Sequence, residues 1–412
     1  MLYTQAIAHR AHHVLTFILQ YCVNSMSESS RSQSQVIRIP ASIAVPLVSV
    51  SHHLGIAPIV TYADTVLWNW ELIDTKKDVS ATNVRITDLF TGMLQEEHFF
   101  LTSLRMEICG RKSTQAMLEA VSIYINSTEF AASLQQVASN LEELTDVFCA
   151  VRQGVEPDFF YNNFRPWIQG ADQGAKSPPW QCEGTNLILQ PSGPSAGQSA
   201  MMQSFDAFLG IQHPHNAHSP ESGCAYINSA LNPHQDSRPA PSSTQACLSH
   251  ATAPECPVMS KRRKATVVRE HDDALDTSFN ARMRAYMPKE HQEYLLWLAR
   301  HTPFRQEPSL IHRRTACPVE VKVAYNAAVS AMERWRNAHI QIVTRYVILP
   351  ARRKQCFEAR TQFNRQAKIN RAHCSQAEPQ IVKQVVRGTG GTSLVPLLKV
   401  YRENTKKAIM QG

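Results

Sequence analysis

Apolar residues recur at intervals of three and four along most of this chain, which is the pattern of amphipathic helices. The longest example covers residues 319–348, and its apolar face carries a polar ring, His339, between Trp335 and Ile342. The same spacing predicts further helices over residues 7–25, 99–125, 129–152, 196–211 and 278–300, with short helices over 43–70. Because the alternating patterns typical of strands are few, the predicted fold class is all-α or nearly so.

Two stretches without periodicity separate the predicted helices. The first helix, whose apolar residues Val14, Phe17, Ile18 and Tyr21 lie on one side, is followed by a Ser- and Gln-rich loop over 27–36. Residues 212–277 form a longer stretch, rich at first in His, Pro, Ser and Ala, and this composition predicts disorder. The longer stretch is either an insertion outside the core or retained intron sequence.

Cysteine usage points to reduced thiols in the cytoplasm, because the ten cysteines are scattered and form no CxxC pair. Five possible metal ligands in the long aperiodic stretch fit no standard zinc spacing, so a zinc site there is disfavoured. They are Cys224, His234, Cys247, His250 and Cys256. The start of the chain has no secretory pattern, and no apolar run is long enough to cross a bilayer, so we expect no membrane association.

The composition is that of a globular protein: 412 residues, 43% hydrophobic and 18% charged, enough for a large core or two domains. The net charge is +8 and the isoelectric point is about 9.0. Much of the positive charge lies in the KRRK run at 261–264 and in residues 345–371, where eight Lys or Arg meet one acid, Glu358. We interpret both runs as solvated loop charge and expect no nucleic-acid partner.

His339 is the first candidate for chemistry. A ring nitrogen buried on an apolar helical face must find a partner, because an unpaired buried polar atom is costly. A hydrogen-bonded core histidine is the more common outcome for such a residue. The alternative is haem iron, which takes one neutral imidazole as its proximal ligand.

The segment 334–346, RWRNAHIQIVTRY, resembles the proximal-histidine helix of indoleamine 2,3-dioxygenases. Further blocks match the family in the same order, and together they cover roughly residues 9–211 and 278–408. These blocks are IAVP at 43–46 with PIVTYAD at 58–64, FFLTSL at 99–104, SAGQS at 195–199 with the helix to 211, YMP at 286–288 with His291, and GTGGT at 388–392.

The resemblance implies two helical domains. A large haem-binding domain covers 89–412, interrupted by the insertion at 212–277 and by a basic linker at 351–386. A smaller N-terminal domain, 1–88, covers the distal side of the haem and is shorter here than in the family.

The resemblance also implies roles for individual residues. His339 is the proximal ligand of haem b, and Arg336 lies near a propionate and pairs with Asp206; without the resemblance, these two fit a surface ion pair. Arg165 binds the tryptophan carboxylate through two parallel hydrogen bonds, where the ordinary alternative is an exposed arginine before a proline. The full substrate set is Tyr62, Thr65, Val66, Phe99, Ser103, Phe160, Arg165, Ile168, Ser195, Ala196 and Thr389, and Ala196 also borders the cofactor.

Some of these residues have plainer alternatives. Phe99 and Ser103 are four residues apart on one helical face, and they fit core packing and a hydroxyl bonded to its own backbone equally well. The glycine-rich segments 192–197 and 388–391 lack the ending of a phosphate-binding loop, so we interpret them as pocket loops, the second able to close over substrate.

The implied reaction opens the indole C2–C3 bond of L-tryptophan with O2 and gives N-formylkynurenine, the first step of the kynurenine pathway and of NAD supply. No catalytic acid or base is expected, and the expected state is a monomer. Two alternatives stay open: a haem- or oxygen-binding protein of the same fold without catalysis, and an inactive product of a shortened gene.

Overall fold

A computed structural model describes residues 4–26, 30, 34–172, 177–213, 278–306, 317–369 and 386–410. Most of the loop predicted over 27–36 lies outside the described residues. So do the KRRK run, the candidate zinc ligands and the predicted insertion from residue 214 onward.

The described residues are mostly helical, as the sequence predicted. The longer helices are α1 Gln5–Ser25, α2 Ala41–Leu54, α3 Leu94–Val121, α4 Thr128–Cys149, α5 Ala200–Leu209, α6 Phe279–Arg284, α7 Lys289–His301, α8 Val319–Val343, α9 Leu349–Ile369 and α10 Leu394–Lys407. Shorter helical turns are Val151–Gly154, Pro157–Phe159, Arg165–Ile168, Ala196–Gln198 and Pro303–Gln306. No described helix is long and apolar enough to cross a membrane.

The main core lies between α8 and α4, with α3 and α5 beside them. On α4, Leu134, Val137 and Leu141 are fully buried at steps of three and four. They meet Tyr325 and Ala328 of α8, which follow the same spacing. Because both helices concentrate apolar side chains on one face, packing the two faces together removes them from water. This scaffold holds the C-terminal half of α8, where His339 lies.

The strands are short and lie outside that core. Strand β1, Ile37–Ile39, pairs in parallel with β4, Trp180–Cys182, and β4 pairs in antiparallel with β5, Ile188–Leu189. A separate hairpin joins β2, Trp70–Leu72, to β3, Val84–Ile86. The first sheet connects the chain after α1 to the segment that leads into residues 192–197.

Helix α1 buries only part of the apolar side that its sequence predicts. Phe17 is buried, whereas Val14, Ile18 and Tyr21 are 38%, 45% and 42% exposed. The side of α1 that faces the protein includes four polar residues: His12, His13, Thr16 and Gln20. Burial of this side is possible because each of the four is hydrogen-bonded.

Two adjacent histidines of α1 bind the chain around residue 64. His12 Nδ1 lies 2.7 Å from Asp64 Oδ1 and its Nε2 lies 3.1 Å from the Ala57 carbonyl oxygen. His13 Nδ1 lies 2.7 Å from the Asp64 carbonyl oxygen and its Nε2 lies 3.1 Å from Asp88 Oδ2. Both nitrogens of each ring thus lie within hydrogen-bond distance of an oxygen acceptor.

The sequence placed a basic linker at 351–386, and this prediction is wrong for its first half. The chain continues beyond α8 through Thr344–Ile348 and then as α9 to Ile369. Composition misled here, because the charged residues of α9 are good helix formers although they leave no apolar stripe. Residues 370–385 lie outside the described residues.

In the part of the chain that the structure describes, three segments of π-helix interrupt the regular helical geometry: Ala63–Leu67, Phe160–Phe164 and Thr344–Ile348. A π-turn inserts one extra residue into a helical turn, and such turns are frequent at functional sites. All three lie in one region of the molecule, around a central cavity.

Candidate functional site

A cavity of about 290 Å³ opens between α3, α8, α10, the three π-turns and the loops 194–197 and 388–392. Its lining includes every residue that the sequence singled out for a site. These are Tyr62, Thr65, Val66, Phe99, Ser103, Phe160, Arg165, Ile168, Ser195, Ala196, Asp206, Arg336, His339 and Thr389. Residues separated by more than 300 positions in sequence thus border one space.

His339 is half-buried at the cavity wall, between two aromatic rings. Its ring centroid lies 5.3 Å from that of Trp335 and 5.7 Å from that of Phe148. Among the described residues the imidazole has no hydrogen-bond partner. His339 is therefore not paired there in the way expected of a hydrogen-bonded core histidine. Burial, and then the charge of Arg336, lower the pKa of His339 to about 4. The ring is therefore neutral at pH 7, as a metal ligand must be.

Arg336 and Asp206 form a buried pair beside His339, and the surface-pair alternative is wrong. Arg336 Nη2 donates to Asp206 Oδ1 over 2.5 Å, and Nη1 donates to the carbonyl oxygen of Tyr401 over 2.6 Å. The two side chains are only 5% and 10% exposed. Burial acts to raise the pKa of Asp206, but the nearby Arg336 and His213 outweigh it and lower that pKa.

Arg165 is a buried cation that lines the cavity. It is 7% exposed, and its Nη2 donates to the Arg387 carbonyl oxygen over 2.6 Å. The guanidinium carbon lies 5.5 Å from the ring centre of Tyr161. Within the part of the chain that the structure describes, no carboxylate lies within 4.0 Å of it. Burial lowers the pKa of Arg165, which marks the cost of keeping this charge away from water.

Aromatic rings form one wall of the cavity. Phe99, on α3, lies 5.2 Å from both Phe160 and Phe164, centre to centre. One turn further along α3, the Ser103 hydroxyl donates to the Phe99 carbonyl oxygen over 3.3 Å, which is the backbone bond weighed for it in the sequence. The Thr65 hydroxyl likewise donates within its own turn.

Glu107 of α3 links Tyr62, which lines the cavity, to Ser199, and the sequence did not single it out. Its Oε1 accepts a hydrogen bond from the Tyr62 hydroxyl at 3.0 Å and from the Ser199 hydroxyl at 2.6 Å. Burial raises the pKa of Glu107, and burial together with this carboxyl raises that of Tyr62. Glu107 could have been identified from the sequence by its position four residues after Ser103, which places it on the same face of α3.

The two glycine-rich loops meet at the cavity. The Gly193 backbone N–H donates to the Thr389 carbonyl oxygen over 2.9 Å. Ser195 accepts a hydrogen bond from the Gly197 backbone N–H at 3.2 Å. A side chain on Gly197 would bring its Cβ within 2.6 Å of the Phe279 ring, so this close approach requires glycine.

The sequence missed several residues near the site. His213 was assigned to the disordered insertion, yet it lies against Asp206, with Nε2 3.0 Å from Oδ2. Tyr401 and Leu397 of α10 line the cavity, as does Phe279 of α6. Among the described residues no cluster of three or more His, Cys, Asp and Glu forms a metal site.

Known proteins resemble this chain over most of its length. A family model described as indoleamine 2,3-dioxygenase matches residues 1–408. The indoleamine 2,3-dioxygenase of Saccharomyces cerevisiae is 27% identical over 384 residues, which cover 89% of this chain and 72% of the yeast protein. Indoleamine 2,3-dioxygenase 1 of Mus musculus is 27% identical, with 90% and 73% covered.

A further relative carries a different substrate in its name. The 6-hydroxytryptophan 2,3-dioxygenase of Fusarium equiseti is 25% identical over 421 residues, covering 99% of this chain and 83% of its own. The family model nevertheless spans nearly the whole sequence, residues 1–408. The chain therefore belongs to the indoleamine 2,3-dioxygenases, a haem-dependent family of oxidoreductases that act on indoleamines with dioxygen.

Proposed function

We propose that this protein opens the indole ring of L-tryptophan between C2 and C3, consumes one O2 and releases N-formylkynurenine. In this role it carries out the first step of the kynurenine pathway, which leads to tryptophan breakdown and NAD supply. The observation that carries the proposal is Arg165. A buried guanidinium without a described carboxylate partner, in the same apolar cavity as a neutral histidine, is matched to a substrate that brings its own carboxylate.

The cavity fits haem b in three respects. His339 has a neutral ring and no described hydrogen-bond partner, so one ring nitrogen is available for iron. Arg336 brings a buried positive charge to the same wall and suits the negative side chains of the cofactor. The buried Trp335 Nε1 has no acceptor among the described residues, and a polar group of a bound molecule would satisfy it. When bound, haem supplies the redox-active iron with which O2 reacts.

The remaining residues position the substrate and keep water out. Arg165 holds the carboxylate through its two parallel N–H groups, which fixes both the distance and the orientation of the amino acid. Phe99, Phe160 and Val66 border the indole with apolar surface. Both oxygen atoms enter the product, and the proposal assigns no proton transfer to any side chain. The protein's contribution is therefore orientation and exclusion of solvent.

The meeting of the two glycine-rich loops supports a role in covering the substrate. Thr389 borders the cavity while its carbonyl oxygen accepts from Gly193, so the two loops are held to each other. We propose that this pair moves as a unit when tryptophan enters.

The choice among indoles is tested by comparing three substrates. The haem-loaded, reduced protein is mixed with L-tryptophan, 6-hydroxy-L-tryptophan or tryptamine in aerated buffer, and the ring-opened product is followed by absorbance. We expect L-tryptophan to be turned over and tryptamine, which has no carboxylate for Arg165, to have a much lower kcat/KM. Equal kcat/KM for tryptamine would overturn the role of Arg165. A higher kcat/KM for the hydroxylated substrate would assign this chain to 6-hydroxytryptophan instead.

Two other outcomes would overturn the proposed function as a whole. A Soret band without product from any of the three substrates would mean a haem- or oxygen-binding protein without catalysis. A purified chain that takes up no haem would mean a product whose site does not assemble.

We also propose a location, an oligomeric state and a domain organisation: a cytoplasmic monomer with an N-terminal domain over 1–88 and a large haem-binding domain from 89. The described cysteines are all unpaired by disulfides, which is the ordinary state in the cytoplasm. Light scattering during gel filtration tests the monomer, since a mass near twice 46.3 kDa would contradict it.

A further inference from the structure

The described residues 177–213 end at His213, and this residue lies inside the protein rather than in a solvated loop. Its side chain is 5% exposed. The ring stacks on Tyr401 of α10, with centroids 3.7 Å apart and planes only 10° from parallel. Its Nε2 lies 3.0 Å from Asp206 Oδ2 and 3.3 Å from Arg336 Nη2. Because a carboxylate oxygen only accepts, we assign the Nε2 proton to the shorter contact, with the Asp206 oxygen that Arg336 leaves free.

Asp206 thus accepts on both oxygens, from His213 on one and from Arg336 on the other. The Arg336 guanidinium is held from a second side by the Tyr401 carbonyl oxygen, and its central carbon lies 5.4 Å from the Tyr401 ring centre. The groups that face His213 are therefore one carboxylate from α5, one guanidinium from α8 and one aromatic ring from α10. Asp206, Arg336 and Tyr401 line the cavity, whereas His213 lies behind them.

We propose that His213 is a positioning residue, which orients Asp206 and through it keeps the Arg336 charge fixed at the cavity wall beside His339. Without the His213 donor, Asp206 Oδ2 becomes a buried carboxylate oxygen with one hydrogen bond fewer. Asp206 then competes for the second Arg336 nitrogen, which now binds Tyr401. The guanidinium turns away from the cavity and the wall loses positive charge.

The consequence for the site rests on the proposed function, because it concerns the haem that Arg336 would face. A less positive wall holds a negatively charged cofactor less firmly, and it stabilises ferric over ferrous iron. Loss of one charge-assisted hydrogen bond corresponds to roughly a tenfold change in an equilibrium or rate. His213 therefore influences haem retention and reduction potential without touching either substrate or cofactor.

Three variants separate the hydrogen bond of His213 from its stacking. His213→Ala removes both, His213→Phe keeps a ring on Tyr401 but cannot donate, and His213→Gln keeps an N–H donor without the ring. The control is His53→Ala, an exposed histidine on α2. Each purified holoprotein is mixed with excess apomyoglobin to measure the rate of haem loss, and its midpoint potential is measured by redox titration.

We expect haem loss to be about tenfold faster in the Ala and Phe variants, with a more negative potential, while the Gln variant stays close to wild type. Identical rates and potentials in the Phe variant and the wild type would overturn the proposal. So would a Gln variant as impaired as Ala, because the ring stacking would then be what matters. If the wild-type protein itself retains no haem, the proposed function fails first; if it retains haem and turns over tryptophan, only the role of His213 is at stake.

Discussion

Helices α1 and α8 both carry histidines away from solvent, and they use them in opposite ways. On α1, His12 and His13 have acceptors at all four ring nitrogens, so the hydrogen-bonding capacity of both rings is used within the structure. On α8, His339 has no hydrogen-bond partner among the described residues, and its lowered pKa keeps it neutral. Burial alone therefore does not distinguish a candidate metal ligand from a structural histidine. The distinguishing feature is whether the ring nitrogens already have hydrogen-bond partners among the described residues.

The same comparison applies to the buried arginines. Arg336 pairs with Asp206, whereas Arg165 has no carboxylate partner within the described part of the chain. Pairing recovers part of the cost of burying a charge, whereas an unpaired buried charge carries that cost in full. The five residues thus divide into three, His12, His13 and Arg336, that complete the structure's own hydrogen bonding, and two, His339 and Arg165, for which we propose a bound molecule.

The largest expected effect comes from His339→Ala. Loss of the ring should abolish stable haem binding, because the remaining wall offers no other described imidazole to the iron. Absorbance in the Soret region measures it, and added imidazole should restore the band by entering the space left behind. An unchanged Soret band without imidazole would contradict the contrast between the two helices.

Replacement of His12 should affect stability rather than haem. His12→Ala leaves Asp64 as a buried carboxylate without its histidine partner, and we expect a loss of roughly 3–5 kcal/mol in the free energy of unfolding. Urea denaturation followed by circular dichroism measures this loss. The matched control is His53→Ala, whose exposed side chain should change the free energy by about 0.5 kcal/mol or less. Equal stability of the two variants would refute the structural role of His12.

Arg165 should affect substrate binding while leaving haem content intact. Arg165→Met removes the charge, and the tryptophan concentration for half-maximal turnover should rise about 10- to 100-fold, the usual effect of losing charge-assisted hydrogen bonds. The kinetics with tryptamine should change little, which serves as the internal control. Loss of haem in this variant would show that Arg165 is structural.

The smallest effect concerns pH. Burial raises the pKa of Asp64, but the charges of His12 and His13 and the Thr61 hydroxyl outweigh it, so the folded-state pKa lies below its ordinary value. A carboxyl with a depressed pKa contributes stability above its unfolded pKa of about 3.9, and this contribution is lost as pH falls through the folded value. The difference in unfolding free energy between wild type and Asp64→Asn should therefore shrink as pH falls below about 4. A constant difference would contradict the assignment.

Much of the fold and the positions of the candidate residues could be predicted from the sequence. Helical periodicity identified α8 and α4, because their buried residues are apolar and regularly spaced. Periodicity alone could not connect Arg165 with Thr389, which lie far apart in the chain. The family resemblance did connect them, and the cavity contains both.

The features that the sequence could not predict depend on hydrogen-bond partners that are far away in the chain. Half of the buried residues of α1 are polar, and the positions of Asp64, Asp88 and the Ala57 carbonyl oxygen explain why His12 and His13 can be buried. His213 was assigned to an insertion by its neighbours' composition, although its own contacts are with α5, α8 and α10. Hydrogen bonds across such separations leave no periodic pattern in the chain.

The three π-turns have a consequence for how this chain can change. Each holds one residue more than a regular helical turn, and the side chains of Val66, Phe160 and Tyr346 reach the cavity from these turns. The wider turn accommodates that extra residue, so deleting one residue would restore a regular turn while the residues on either side keep their orientation. The change would be confined to the turn itself, where one side chain would no longer reach the cavity. At these turns the chain can therefore lose a residue and reshape the cavity wall while the flanking residues stay in register.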